Sequence, residues 1–212
     1  MKKFAFLFLT FTFPLSLFCG CKKNDVLLPY VIELRENIFL GETEDYTLKA
    51  YYGFKLTNEN KRYALTLFLA DGDAPSVEYT ISFDYDGKTY ADTLRFDPVI
   101  ERLAATFYLE GVAEDFTATL SFSSERVEVP MHSTLPDETI HYKRALELLY
   151  EKQTAFIDGF FENGTFTAEI VLRVVVKDDK AYYYVGIEKD ETLKAFLMDG
   201  KTGEVLAIRE IR

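Results

Sequence analysis

Residues 77–93 have the sequence VEYTISFDYDGKTYADT, which contains the two signals that decide the fold. Apolar residues occupy every second position from Val77 to Tyr85, and polar residues fill the positions between them. This period of two is typical of a strand with one face buried. Asp86-Gly87 follows at once, and both residue types accept the positive φ of a two-residue hairpin turn. The stretch therefore predicts an antiparallel β-hairpin.

The same alternation recurs throughout residues 30–135. It is clear in residues 46–54, 63–69, 103–109 and 116–122, with turn-forming residues between these segments. Successive half-buried strands joined by short turns form antiparallel sheets. The stretch is therefore predicted to be an antiparallel β-sandwich that resembles immunoglobulin-like domains. That resemblance rests on the number of strands, because the chain has no tryptophan and this stretch has no cysteine pair.

Residues 136–212 change to a helix followed by strands. Four apolar residues from Tyr142 to Phe156 share one face at helical spacing, with Asp137 as the predicted N-cap and Gly159 as the stop. Four strands are predicted after the helix, over residues 166–176, 181–187, 193–198 and 204–211. A sheet must bury its apolar face, so a helix packed on a four-stranded antiparallel meander is predicted. The chain as a whole is predicted to be mainly β plus α+β.

The end of the chain resembles the PepSY domain family. The matching residues are YYYVGI at 182–187 and AFLMDGKTGEVL at 195–206. The closing hairpin of that family has the pattern apolar-x-apolar-Asp-x-x-Thr-Gly-x-apolar, and Leu197 to Val205 fits it. The resemblance implies that residues 136–212 form a small α+β domain similar to bacterial inhibitor proteins. It also implies a role in restraining secreted or membrane peptidases, and it brings no catalytic residues.

The N-terminus has the features of an export signal. Lys2 and Lys3 precede an apolar run from Phe4 to Phe18. That run has the length of a signal-peptide core and is shorter than the roughly 20 residues of a membrane-spanning helix. Residues 1–20 are therefore predicted to be a signal peptide.

Gly20-Cys21 resembles the lipobox of bacterial lipoproteins, in which cleavage precedes a cysteine that follows a small residue. Cys21 fits better than Cys19, which follows the bulky Phe18, although Phe18 also stands where the lipobox usually has an aliphatic residue. The resemblance implies a diacylglycerol on the Cys21 sulfur and a location in the cell envelope, facing outside the cytoplasm. Residues 21–29 would then be the anchor and a short linker. Plain secretion and an uncleaved anchor are the alternatives.

The composition argues against several functions. The formal net charge is −11, and removing residues 1–20 with their two lysines leaves −13. So acidic a chain argues against binding nucleic acid. Loss of Cys19 and lipidation of Cys21 would leave no cysteine for disulfides, zinc or thiol chemistry. His132 and His141 lack the spacing of a helical metal pair, and no nucleophile or phosphate-loop motif occurs. No catalytic, cofactor-binding or metal-binding residue is therefore predicted, and the chain is not expected to be an enzyme.

Tyr182, Tyr183 and Tyr184 are the candidate binding residues. In a strand, Tyr183 lies on one face and the other two on the opposite face, whereas a helix can cover only one face. Exposed tyrosines make effective protein contacts. The favoured hypothesis is a membrane-anchored, protein-binding and peptidase-inhibitory lipoprotein whose partner is an envelope protein or peptidase. A structural scaffold lipoprotein, and an undetected hydrolase or carbohydrate-binding protein, remain alternatives.

Overall fold

The computed structural model describes residues 26–57, 60–70, 77–111 and 115–211. The predicted signal peptide and Cys21 lie outside these residues. Within the described ranges, no helix is both long enough and apolar enough to cross a bilayer.

The predicted mainly β character with one α-helix is confirmed in the described part of the chain. A short 3₁₀ turn at Leu28–Tyr30 precedes the first strand. The elements are β1 (Val31–Glu42), β2 (Thr47–Thr57), β3 (Asn60–Leu69), β4 (Tyr79–Tyr85), β5 (Lys88–Thr93), β6 (Arg95–Asp97), β7 (Arg102–Tyr108), β8 (Phe116–Phe122), β9 (Glu125–Ser133), α1 (Tyr142–Asp158), β10 (Phe161–Glu162), β11 (Thr165–Phe166), β12 (Glu169–Lys177), β13 (Lys180–Lys189), β14 (Thr192–Asp199) and β15 (Val205–Ile211).

The main sheet has the strand order β15-β14-β13-β12-β1-β2-β3-β7-β6. Its neighbours are antiparallel except for β1 and β12, which run parallel. A second layer has the order β5-β4-β8-β9, and it joins the main sheet where Phe39 and Leu40 of β1 pair with β9. The sheet is therefore continuous across the boundary predicted at residue 136, and the division into two domains stays a prediction.

Helix α1 and the second layer cover the same face of the main sheet. Strand β2 shows this directly, because Phe54 belongs to the core beneath α1, whereas Tyr52 and Ala50 belong to the core between the two layers. These three residues alternate along one strand and so share a face. The opposite face, which we call the outer face, has no covering element among the described residues. Leu197 (37% exposed) and Tyr108 (56% exposed) lie on it.

The predicted hairpins and meander are confirmed. Tyr85 pairs with Lys88 around the Asp86-Gly87 turn, where φ is 48° and 69°. Strands β12 to β15 form a four-stranded antiparallel meander, on which α1 packs through residues such as Leu149.

The prediction of Asp137 as the helix N-cap is wrong. Helix α1 begins at Tyr142, and His141 is its cap. The reason is that the preceding segment bonds elsewhere: Ile140 N donates to Gly200 O at 2.8 Å, next to the end of β14. Thr139 N donates to Pro136 O in a turn, and the contact at Ile140 ties this segment to the meander, so the chain becomes helical only after His141. The predicted stop is confirmed, since Gly159 caps the helix after Asp158.

Candidate functional site at the bulge of the first strand

A β-bulge in β1 separates two charged residues onto opposite sides of the main sheet. Arg35 pairs with Gly53 and Asn37 pairs with Tyr52, which leaves Glu36 without a partner in the ladder. Arg35 therefore lies on the outer face, while Asn37 lies on the covered face with Tyr52. Glu36 lines a pocket on the covered side together with Tyr183. Bulges redirect side chains in this way and are frequent beside functional sites.

Arg35 lies in a row of paired residues that crosses the outer face. We call this the outer row; it consists of Leu197, Tyr184, Arg173, Arg35, Gly53, Ala64 and Tyr108. Directly opposing residues share one face of a sheet, so these side chains point the same way. At Gly53 a Cβ would lie 1.9 Å from Leu34 O, so the close approach of β1 and β2 requires glycine there.

Arg35 is half-buried, and it makes no ion pair or hydrogen bond with any described residue. Its guanidinium lies 3.6 Å from the centre of the Tyr51 ring. Burial lowers the pKa of Arg35, although the guanidinium stays charged because its ordinary pKa lies far above neutral pH. Its neighbour Arg173 differs, since Nε and Nη2 donate to both carboxylate oxygens of Glu33 at 2.6 and 3.0 Å. Glu33 attracts Arg35 only at longer range, so the outer face carries one arginine in a direct ion pair beside one that makes no direct ion pair with a described residue.

Arginine and tyrosine dominate this part of the outer face. The guanidinium of Arg62 lies 3.8 Å from the centre of the Tyr108 ring. On strands β12, β1, β2 and β3, the outer row and the row next to it contain four basic residues and one acidic residue. The basic residues are Arg35, Lys55, Arg62 and Arg173, and the acidic residue is Glu33. The whole chain has 35 acidic against 24 basic side chains. The charge of this surface is thus opposite in sign to that of the chain.

The three predicted tyrosines lie on the faces expected from alternation. Tyr182 and Tyr184 are half-buried on the outer face, and Tyr184 pairs with Arg173 in the outer row. Tyr183 is 2% exposed on the covered face. Its hydroxyl donates to Ile140 O at 2.5 Å. Of the three residues, only Tyr182 and Tyr184 are therefore available on the outer face.

Glu36 lies at a pocket of about 330 Å³ on the covered side. The lining residues are Glu36, Asn37, Leu135, Pro136, Thr139, Ile140, His141, Tyr142 and Tyr183. Burial raises the pKa of the Glu36 carboxyl. Burial raises the pKa of Tyr183 to about 12, and the nearby charge of Glu36 adds to this rise. Burial and then the charge of Glu36 raise the pKa of Tyr63 as well, against a lowering by its hydrogen bond to Tyr142, so the charge of Glu36 acts on two nearby tyrosines.

The two histidines lie in separate places. His132, in β9, contacts Asp115 through Nδ1 and Oδ2 at 2.7 Å, and this hydrogen bond lowers the pKa of Asp115. His141 caps α1, where its Nδ1 accepts from Lys143 N at 3.3 Å. No group of three or more metal-ligating side chains occurs in the ranges that the structure describes.

Sequence reasoning missed the bulge and the residues that it positions. In the structure, the buried positions of β1 change parity between Leu34 and Phe39, but in the sequence Ile38, Phe39 and Leu40 are all apolar, so alternation could not reveal this change. Such a change of phase within one apolar strand indicates an inserted residue. Arg35 and Glu36 lie at the insertion.

Comparisons with known proteins leave the family open. No family model matches this chain, and no curated protein matches it. Among solved structures, it is similar to the crystal structure of a candidate lipoprotein from Clostridium difficile 630. The identity is 11% and the TM-score 0.30, over 84% of this chain and 82% of that chain. At these values, the likeness carries no argument about function.

Proposed function

We propose that this chain is a membrane-anchored lipoprotein of the bacterial envelope that binds an acidic protein partner through its outer face. The anchor is proposed from the Gly20-Cys21 lipobox resemblance. The observation that carries the binding role is Arg35, a half-buried guanidinium that makes no direct ion pair with a described residue and lies on the outer face, which no described element covers.

The chemistry of the outer row supports a protein partner. A partly desolvated guanidinium without a direct ion pair costs free energy, and a carboxylate from a partner would offset that cost. Tyr51 holds the Arg35 guanidinium against its ring, so little side-chain entropy remains to be lost on binding. Tyrosine and arginine are also the residue types most enriched among the contacts that dominate protein interfaces. A peptidase is the partner class that the PepSY resemblance favours.

A crosslinking pull-down from intact envelopes tests the binding surface. Wild type is compared with Arg35→Gln, with Tyr184→Ala, and with Arg126→Gln as the control. Arg126 is an exposed arginine on β9, away from the outer row, so its variant loses the same charge. We expect the first two variants to recover at least tenfold less of a reproducible partner than wild type, equivalent to about 1.4 kcal/mol of binding free energy. The control should recover as much of it as wild type does. Equal capture by all four proteins would refute the surface.

The anchor is tested separately, so that the two parts of the proposal can fail independently. Cys21→Ser should release the protein from membranes into the soluble fraction. Unchanged retention of the Cys21→Ser variant would reject the lipid anchor and leave the binding surface unaffected. Identification of the captured protein decides whether the partner is a peptidase.

A further inference from the structure

Glu36 is a half-buried carboxylate that makes no hydrogen bond or ion pair with any described residue. The basic side chains nearest in sequence and register are engaged elsewhere, with Arg35 stacked on Tyr51 and Arg173 bound to Glu33, both on the outer face. Removing a carboxylate from water without giving it a partner costs free energy. The bulge thus directs toward the covered side a negative charge that the described chain does not neutralise.

The pocket beside Glu36 has walls suited to an organic cation. Its volume of about 330 Å³ lies at the lower end of the range for small-ligand pockets. His141, Tyr142 and Tyr183 supply aromatic surface, and the faces of tyrosine rings attract cations. Leu135 and Ile140 supply aliphatic surface.

The polar groups around the pocket are fixed or unsatisfied. The Tyr183 ring is held by its hydrogen bond to Ile140 O, and Asn37 Oδ1 accepts from Ser133 Oγ at 2.9 Å. Thr139 Oγ1 is buried and has no hydrogen-bond partner among the described residues. The cavity is therefore formed in advance, with polar capacity that the described chain leaves unused.

We propose that this pocket binds a primary alkylammonium group, with the ammonium against the Glu36 carboxylate and the alkyl chain along Leu135 and Ile140. An anion would be repelled by Glu36, and a neutral ligand would leave the carboxylate without a counter-charge. The alkylammonium can belong to a free amine or to the lysine side chain of a protein. This site lies on the covered side, so the inference does not rest on the proposed function of the outer face.

The test is a titration of the full chain, purified in detergent, with n-pentylammonium chloride, followed by backbone amide chemical shifts. The control ligand is 1-pentanol, which has the same alkyl chain as pentylammonium but no charge. Glu36→Gln removes the charge at nearly constant volume. Glu42→Gln is the control, because it removes the same charge from an exposed position on the same strand, outside this pocket.

We expect saturable shifts at residues 36–37, 135, 137–142 and 183. Pentylammonium should bind Glu36→Gln at least tenfold more weakly than wild type, and 1-pentanol should bind wild type at least tenfold more weakly than pentylammonium does. Glu42→Gln should bind as wild type does. The proposal would be overturned if Glu36→Gln bound pentylammonium as tightly as wild type does. It would also be overturned if the wild-type shifts did not saturate or occurred at other residues. The wild-type titration alone therefore tests the site even if a variant fails to fold. A capped Gly-Lys-Gly peptide that binds more tightly than pentylammonium would identify a protein lysine as the source, and weaker binding would identify a free amine.

Discussion

Replacing Tyr183 by phenylalanine should destabilise the protein at neutral pH and stabilise it in strong alkali. The Tyr183 ring is 2% exposed, and its hydroxyl donates a hydrogen bond to Ile140 O at 2.5 Å. Loss of one such hydrogen bond costs about 1 kcal/mol of the free energy of unfolding. At about pH 8, Tyr183→Phe should therefore unfold at a lower urea concentration than wild type.

The sign of this difference should reverse as the pH rises. Burial, with the charge of Glu36, raises the pKa of Tyr183 to about 12, whereas the unfolded chain loses this proton near the ordinary value of 10. Between these pH values the unfolded wild type is ionised and the folded wild type is not, so wild-type stability falls. Each pKa unit corresponds to about 1.4 kcal/mol, so about 3 kcal/mol is lost in total, and the two proteins should be equally stable near pH 11.

Urea unfolding followed by circular dichroism, from about pH 8 to about pH 12, measures this crossing. Tyr182→Phe is the control, because it removes a half-buried tyrosine from the opposite face of the same strand. The comparison between variants removes the contribution of the other tyrosines. A stability difference between wild type and Tyr183→Phe that stays constant over this range would refute the assignment of the raised pKa to Tyr183.

Two further substitutions, Gly53→Ala and Leu149→Ala, test the packing that positions the site, and Leu206→Ala is the control for the second. Gly53→Ala should lower the free energy of unfolding by about 3 kcal/mol or prevent folding, because the added Cβ would lie 1.9 Å from the backbone oxygen of Leu34 and must displace β1. An unfolding midpoint equal to that of wild type would contradict the close approach of the two strands. Leu149→Ala, at a fully buried position of α1, should lower the free energy of unfolding by about 2–5 kcal/mol. Leu206→Ala, 49% exposed on β15, should cost under about 1 kcal/mol, and equal losses at the two leucines would contradict the described core.

Local signals in the sequence predicted much of the fold. Period-two alternation located β4, and the Asp86-Gly87 turn fixed its pairing with β5, because both signals act between residues that are near in sequence. The helical face of α1 and the strands of the meander were predictable for the same reason. The N-cap was not, since the bond from Ile140 to Gly200 that delays the helix joins residues far apart in sequence.

The candidate site was predictable only in part. Alternation placed Tyr182 and Tyr184 opposite Tyr183. It could not place Arg35 beside Arg173, because that neighbour results from the parallel pairing of β1 with β12, between residues more than a hundred positions apart. The pocket at Glu36 requires, in addition, the segment before α1 to close one wall, and that closure is a tertiary contact without a local signal.

Strand β1 also determines how the body would respond to a pulling force. Among the described strands, it alone has three neighbours, and its ladder with β2 extends from Glu33 to Glu42. Tension applied through the N-terminus enters at Val31 and acts along this strand, so it places many of the hydrogen bonds between β1 and its neighbours under shear at the same time. Such bonds must shear together, whereas an edge strand peeled from its end loses them one at a time. A tether at this terminus would therefore distribute its load through β1 into the strands on both sides of it in the main sheet.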